Sequence, residues 1–325
     1  MEEWFNLSAA DRRVIINQVS TKTGLLPVAV EKDLWVMIAL KATFSTEIAP
    51  HLVFKGGTSL SKAWGVIERF SEDIDLAIDR SFFGFDGELT RTQVKNLRKA
   101  SCRYVDQKFP KLLEEALLKM GVKEFEESDT DPLALELKYN SLVEPQAYLQ
   151  PRILIEISSR SLIEPFENRE MRSVISEHYP GQGFSDKPVI IPTVTPARTL
   201  IEKLFLLHEE FQKPKTQRIR SERMTRHLYD ISRLMDTAFL EMALENKELY
   251  RTIIAHRSKL TRISWVDYSR HDYRSLDFIP PPEIIAEYEK DYSAMRESMF
   301  YGKTESFENL IKKLRTLKDR INSLE

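Results

Sequence analysis

The sequence is poor in cysteine and glycine, with one and ten residues respectively, and has no long apolar run. A single cysteine, Cys102, closes no internal disulfide and builds no zinc site alone, which fits a reducing cytosol. A membrane-spanning helix needs ~20 consecutive apolar residues, and the acidic start Met1-Glu2-Glu3-Trp4 does not read as a secretion signal. The expectation is a cytoplasmic chain with no membrane partner. An excess of either charge is missing too. The 48 Lys and Arg against 50 Asp and Glu leave a net charge of −2, which neither demands nor excludes a nucleic-acid partner. Internal repeats and low-complexity tracts are absent. What is present is ample apolar material, 42% of 325 residues. That length exceeds the usual single domain, so two domains are expected, residues 1–195 and 196–325.

Residues 7–48 read as two helices. Ser8 caps the first, Thr23-Gly24-Leu25-Leu26-Pro27 turns the chain, and Pro27 opens the second. The pair has the outline of a helix-turn-helix, but Trp35, Val36 and Ile38 with few cations favour packing over DNA reading. A strand at 51–54 leads into a helix from Ser59 to Phe70, then a strand from Asp73 to Ile78. Residues 91–120 are helical, Leu133–Tyr139 and Arg152–Ser158 are strands, and a Gly/Pro-rich connector over 180–196 holds a strand at Val189–Ile191. From Pro196 onward the pattern is almost purely helical, punctuated by Pro280-Pro281-Pro282.

The richest stretch is residues 54–79. Gly56, Gly57, Thr58 and Ser59 form a turn of small residues whose backbone N–H groups suit a phosphate. Asp73 and Asp75 follow on a strand, where the two-residue period puts both on one face. Two carboxylates so placed repel unless a cation sits between them, and hard oxygen ligands suit Mg²⁺ or Mn²⁺. The competing reading is a polar strand end. Asp79 is one step further out and is expected to cap Arg80-Ser81 instead. Glu156 interrupts an apolar strand, where a carboxylate either turns to solvent or joins the aspartates. Three carboxylates would hold two divalent ions for in-line phosphoryl transfer.

Downstream, Lys203 borders the apolar face of a helix and is either a point cation for phosphates or half of a surface Glu202–Lys203 pair. Asp230 either orients Lys203 or Arg226, or starts a helix through its dipole. Between them Lys213 to Arg223 is the most basic stretch, a solvated loop or a contact for RNA backbone.

These segments resemble the AbiEii/AbiGii toxin family of nucleotidyltransferases, within the DNA polymerase β-like superfamily and related to MenT toxins. The match rests on Phe54-Lys-Gly-Gly-Thr-Ser-Leu-Ser-Lys62, Arg69-Phe-Ser-Glu-Asp-Ile-Asp-Leu-Ala77, Thr199-Leu-Ile-Glu-Lys203, Arg226-His-Leu-Tyr-Asp230 and Glu31-Lys32-Asp33. It spans about residues 31–235.

The resemblance implies an α+β fold: a small mixed sheet flanked by helices, then an all-helical domain. It implies phosphate contacts from Gly57, Thr58 and Lys203, metal ligation by Asp73 and Asp75, and a role in catalysis for Lys203 and Asp230; the reading of the residues themselves adds Gly56, Ser59 and Lys62 to the nucleotide contacts and Glu156 to the metal ligands. Glu156 departs from the Asp of many nucleotidyltransferases, which leaves the second metal position and the acceptor more open. Members act as the toxin half of toxin–antitoxin or abortive-infection pairs, typically with a separate winged-helix antitoxin. The expected reaction is Mg²⁺-dependent transfer of NMP from an NTP to RNA, with the tRNA 3′ end one candidate. Transfer to a protein or small molecule, and a non-catalytic nucleotide- or DNA-binding module, stand as alternatives.

Overall fold

The computed structural model describes residues 2–71, 73–123, 125–144, 149–302 and 304–324. The chain forms two compact units. One comprises Met1–Ala63 and Phe70–Val194, the other Trp64–Arg69 and Thr195–Glu325.

The first unit is built on a seven-stranded mixed sheet. Its strands are β1 (Leu52–Lys55), β2 (Ile74–Ile78), β3 (Phe125–Asp131), β4 (Ala134–Tyr139), β5 (Arg152–Ser158), β6 (Phe166–Met171) and β7 (Val189–Val194), in the order β3-β4-β5-β2-β1-β7-β6. The strands expected from apolar alternation, β1, β2, β4, β5 and β7, occupy the middle. Ile74, Leu76, Ile153, Ile155 and Ile157 are buried to within 1%, and each such side chain stabilises the fold by roughly 1.5–3 kcal/mol relative to exposure. The two edge strands carry no strand signal in the sequence, because Phe-Glu-Glu-Ser-Asp-Thr-Asp and Phe-Glu-Asn-Arg-Glu-Met lack the apolar alternation that marks a half-buried strand.

Helices of this unit are α1 (Glu2–Asn6), α2 (Ala9–Thr23), α3 (Pro27–Thr43), α4 (Gly56–Lys62), α5 (Arg91–Gln107), α6 (Phe109–Lys119) and α7 (Val174–His178). Ser8 caps α2 by accepting from the Asp11 N–H at 3.1 Å, and Pro27 opens α3. The 91–120 helix is two helices, broken at Lys108 where Pro110 follows in the first turn of α6. Helix α4 is far shorter than the expected Ser59–Phe70. It stops at Lys62, with Gly65 just beyond, and residues 64–69 belong to the second unit.

Almost all of α3 is buried, which removes it as a DNA-reading helix. Its Glu31-Lys32-Asp33 triplet is a buried anchor. Glu31 accepts from the Ser141 hydroxyl at 2.6 Å and the Leu142 N–H at 2.7 Å, although burial still pushes its carboxyl above the ordinary range. Lys32 donates to the Gln150 carbonyl, and Asp33 accepts from the Val174 N–H, both at 2.7 Å. Three adjacent charges thus fasten one helix to two loops and to the start of α7.

The second unit contains α8 (Pro196–Phe211), α9 (Thr225–Leu234), α10 (Phe239–Glu245), α11 (Lys247–His256), α12 (Ile285–Ser298) and α13 (Phe307–Asn322). Helix α9 is packed by α8, α12 and α13, so the side chains it turns inward are shielded from water.

Candidate active site

Strand β2 pairs parallel with β5, setting Asp75 opposite Glu156, and antiparallel with β1, setting Lys55 opposite Asp75. Residues in register share a sheet face, so Lys55, Asp75 and Glu156 form one polar row, while Ile74 and Ile155 occupy the other face. Glu156 hydrogen-bonds Asp75, which favours the protonated form of Glu156. Desolvation, then the charge of Asp75 and its hydrogen bond, then Asp73, push the Glu156 carboxyl up to about 7, opposed by Lys55. Glu156 as a residue is exposed, so the crowding of negative charge outweighs burial.

The glycine turn lies directly against this row. Gly56 has φ +84°, and a Cβ placed there would stand 2.0 Å from Asp75 Oδ2 and 2.8 Å from its Cγ. Both the left-handed backbone and the close approach require glycine. Strand β1 runs straight into α4, and Lys55 at the N-cap makes no side-chain cap. The opening N–H groups of a helix have no intrahelical acceptors, so this turn offers donors beside the carboxylate row.

The hydroxyls of the turn are used internally. Thr58 donates to the Asp73 carbonyl at 2.5 Å and lies 3.0 Å from the Ser71 hydroxyl; Ser59 donates to the Gly56 carbonyl at 2.9 Å. Thr58 thereby ties the turn to the entrance of β2. What Gly56, Gly57, Thr58 and Ser59 leave for an anion is backbone N–H. Lys62 is paired with Asp33 at 2.7 Å, both side chains largely buried, so it fastens α4 to α3. Asp79 caps the following turn, accepting from the Ser81 N–H at 2.9 Å, as expected. Glu72 of the Arg69–Ala77 motif lies outside the described residues.

Among the described residues, no three His, Cys, Asp or Glu side chains converge into a closed metal cage. Asp75 and Glu156 are together, and Asp73, one residue before β2, acts on Glu156 through its charge. An all-oxygen donor set with excess negative charge fits Mg²⁺ or Mn²⁺, ions that retain waters and substrate phosphates as ligands. The residues present therefore fit such an ion without enclosing it.

Lys203 and Asp230 belong to the second unit, where they meet in a buried cluster. Lys203 Nζ is 2.8 Å from Asp230 Oδ2 and 3.3 Å from His227 Nδ1. Arg69 clamps the same carboxylate in bidentate fashion, at 2.6 and 2.7 Å. Asp230 is fully buried. Desolvation alone would raise its carboxyl, but Arg69 and Lys203 together hold it well below the usual range. Burial lowers the Lys203 ammonium, with Asp230 opposing, and burial plus the charges of Lys203 and Arg226 keeps His227 neutral at ordinary pH.

Lys203 is therefore not half of a surface pair: Glu202 instead meets Arg198, at 3.0 Å. Of the two orienting roles considered for Asp230, the structure shows the contact with Lys203. The ammonium keeps one of its three N–H donors without a partner among the described residues.

Lys55, Arg69 and His227 lie within the family motifs, but the sequence alone assigns them no role. Lys55 was accessible from the alternation of β1. The Arg69–Asp230 pair joins positions 161 apart in sequence and leaves no local periodic signal. The basic run is largely tied down: Lys213 and Arg220 both pair with Glu210, Arg220 at 2.9 Å, and Arg218 lies 3.3 Å from Glu287.

No curated protein matches the sequence. Among solved structures, the nucleotidyltransferase toxin MenT4 from Mycobacterium tuberculosis H37Rv is similar, with 18% identity and a TM-score of 0.57 over 96% of this chain and 90% of that one. At that identity the likeness bears on the fold, an α+β architecture shared with a nucleotidyltransferase toxin. Residues 39–313 match the family described as nucleotidyl transferase AbiEii toxin, type IV toxin–antitoxin system, and the chain belongs to that family.

Proposed function

We propose that the chain is a cytoplasmic toxin that transfers NMP from an NTP to an RNA hydroxyl, with tRNA 3′ ends as one acceptor. The observation that carries this reading is the contact of Gly56 with the Asp75 carboxylate. Phosphate donors and metal-type ligands, separate in sequence, stand side by side. The Gly57 and Thr58 N–H groups bind the triphosphate, and Lys203, held by Asp230, is assigned to nucleotide phosphate on the family resemblance. Asp73, Asp75 and Glu156 are the residues that would hold Mg²⁺ or Mn²⁺, whose chemistry there is to neutralise phosphate charge and acidify the acceptor hydroxyl. The acceptor oxygen bonds to the α-phosphorus, the α–β anhydride breaks, and pyrophosphate leaves. A winged-helix protein encoded nearby is the expected antitoxin.

A protein or small-molecule acceptor is the rival reading, favoured by the neutralised state of Lys213, Arg218 and Arg220. The toxin role is tested by induced expression. Wild type should arrest growth, and a folded Asp73→Ala variant should not; equal toxicity of the two would remove the mechanism.

A further inference from the structure

The second unit holds a cavity of about 800 Å³ that the catalytic reading does not use. That volume falls in the ~300–1,000 Å³ range of small-ligand sites. Its lining joins aromatic to cationic surface: Phe211 and Trp265 with Arg270, Arg315 and Lys318, and Gln212 beside them. Pro280-Pro281-Pro282 makes part of the wall, a stiff segment because proline fixes φ.

The aromatic groups are held in place. The Trp265 indole N–H donates to the Glu209 carbonyl at 3.2 Å, while the Glu209 carboxylate is gripped by Arg257 at 2.7 Å. Phe211 packs edge-on against the buried Tyr288, with ring centres 5.8 Å apart. Such pre-set surfaces lose little freedom when a ligand stacks on them.

The cations differ in availability. Lys318 is paired with Asp277 at 2.8 Å. Arg270 and Arg315 make no ion pair within 4 Å among the described residues, although the charge of Arg270 bears on Asp267. The second carboxylate of the lining, Asp267, already accepts from the Ser269 N–H at 3.0 Å and hydroxyl at 2.6 Å. Two available guanidinium groups beside two aromatic rings match the two halves of a nucleotide. Rings accept any base face, and guanidinium groups take phosphate oxygens in pairs.

We propose that this cavity binds a nucleotide unit of single-stranded RNA, its base against Trp265 and Phe211 and its phosphate on Arg270 and Arg315. The inference rests on the RNA-acceptor reading above, to which it adds a site for gripping the acceptor strand. A free mononucleotide offers the same chemistry, so the test must separate the two sources.

The test is fluorescence anisotropy of a labelled 12-nucleotide single-stranded RNA with the full chain, with AMP and ATP as competitors. Labelling of RNA from an NTP is measured in parallel. The Arg270→Ala/Arg315→Ala double variant should weaken RNA binding at least tenfold and flatten its salt dependence, because phosphate contacts release counterions. Trp265→Ala should weaken it about as much, and Trp265→Phe should restore most of the loss by keeping a stacking face. Should Trp265→Ala fail to fold, the arginine pair and Trp265→Phe still decide. RNA binding by the double variant within twofold of wild type overturns the site. Displacement of RNA by AMP at equal concentration overturns the RNA assignment in favour of a free nucleotide. If wild type labels no RNA but the variants lose binding as stated, the catalytic reading falls while this site stands.

Discussion

Gly56→Ala isolates the link between the phosphate turn and the carboxylate row. The new Cβ would lie 2.0 Å from Asp75 Oδ2, whereas heavy atoms settle at ~3.5 Å. The carboxylate must therefore retreat by roughly 1.5 Å, the gap between that contact distance and the structure's. A misplacement of about 1 Å in a reacting constellation costs on the order of 100-fold in rate. The φ of +84° adds strain of roughly 1–2 kcal/mol for an L residue. Gly84→Ala is the control, with φ +76° and nothing within 4 Å of its Cβ; it meets the strain without the collision. Nucleotidyl transfer at saturating metal, read beside thermal melting by circular dichroism, separates the two effects. Both variants should melt a few degrees lower, and only Gly56→Ala should lose about 100-fold in rate. A folded Gly56→Ala protein as active as the Gly84→Ala control would refute the claimed coupling.

Other consequences follow from the same geometry. Between about 4.5 and about 7 the folded Glu156 carboxyl keeps a proton that the unfolded chain has lost, so its contribution to stability declines as pH rises through that window. Solvent screening at this exposed residue keeps the effect below about 1 kcal/mol. Metal competes with that proton, so Mn²⁺ affinity measured by calorimetry should tighten from pH 6 to pH 8, and Glu156→Gln should flatten the change; an unchanged pH dependence contradicts the assignment. Asp230→Asn leaves Arg69 and Lys203 buried without their counter-charge, a loss of about 3–5 kcal/mol, visible in urea melts. Because the folded Asp230 carboxyl is held low, its stabilisation is present above the unfolded carboxyl range near pH 4 and drains away below it; a variant with wild-type stability at pH 7 would sink this point. Lys62→Met removes the partner of Asp33 and should lower the melting temperature while the KM for NTP holds; a raised KM without destabilisation would return Lys62 to the nucleotide.

The central strands and the glycine turn were legible because buried strands and tight turns leave local marks, apolar alternation in one case and glycine in the other. The edge strands β3 and β6 lack that alternation. Helix α4 ends at Lys62 although its apolar pattern continues through Trp64, Val66 and Ile67, so the pattern alone overstates its length. Asp73, Asp75 and Glu156 could be chosen as chemistry-bearing residues, but the register setting Asp75 against Glu156 depends on strand pairing across some eighty residues of chain. The partners of Lys203 were hidden for a related reason. A buried charge is tolerated when oppositely charged groups surround it, and Arg69 reaches Asp230 only in the folded chain.

The proposed reaction is transfer of a nucleotide onto RNA by the carboxylate row beside the glycine turn. The direct measurement is incubation of the purified chain with α-labelled NTPs, Mg²⁺ and total cell extract, followed by separation of RNA from protein. Label should enter RNA with wild type and vanish with chelator or with Asp75→Asn. Label confined to protein, or RNA labelling that survives Asp75→Asn, would contradict the account.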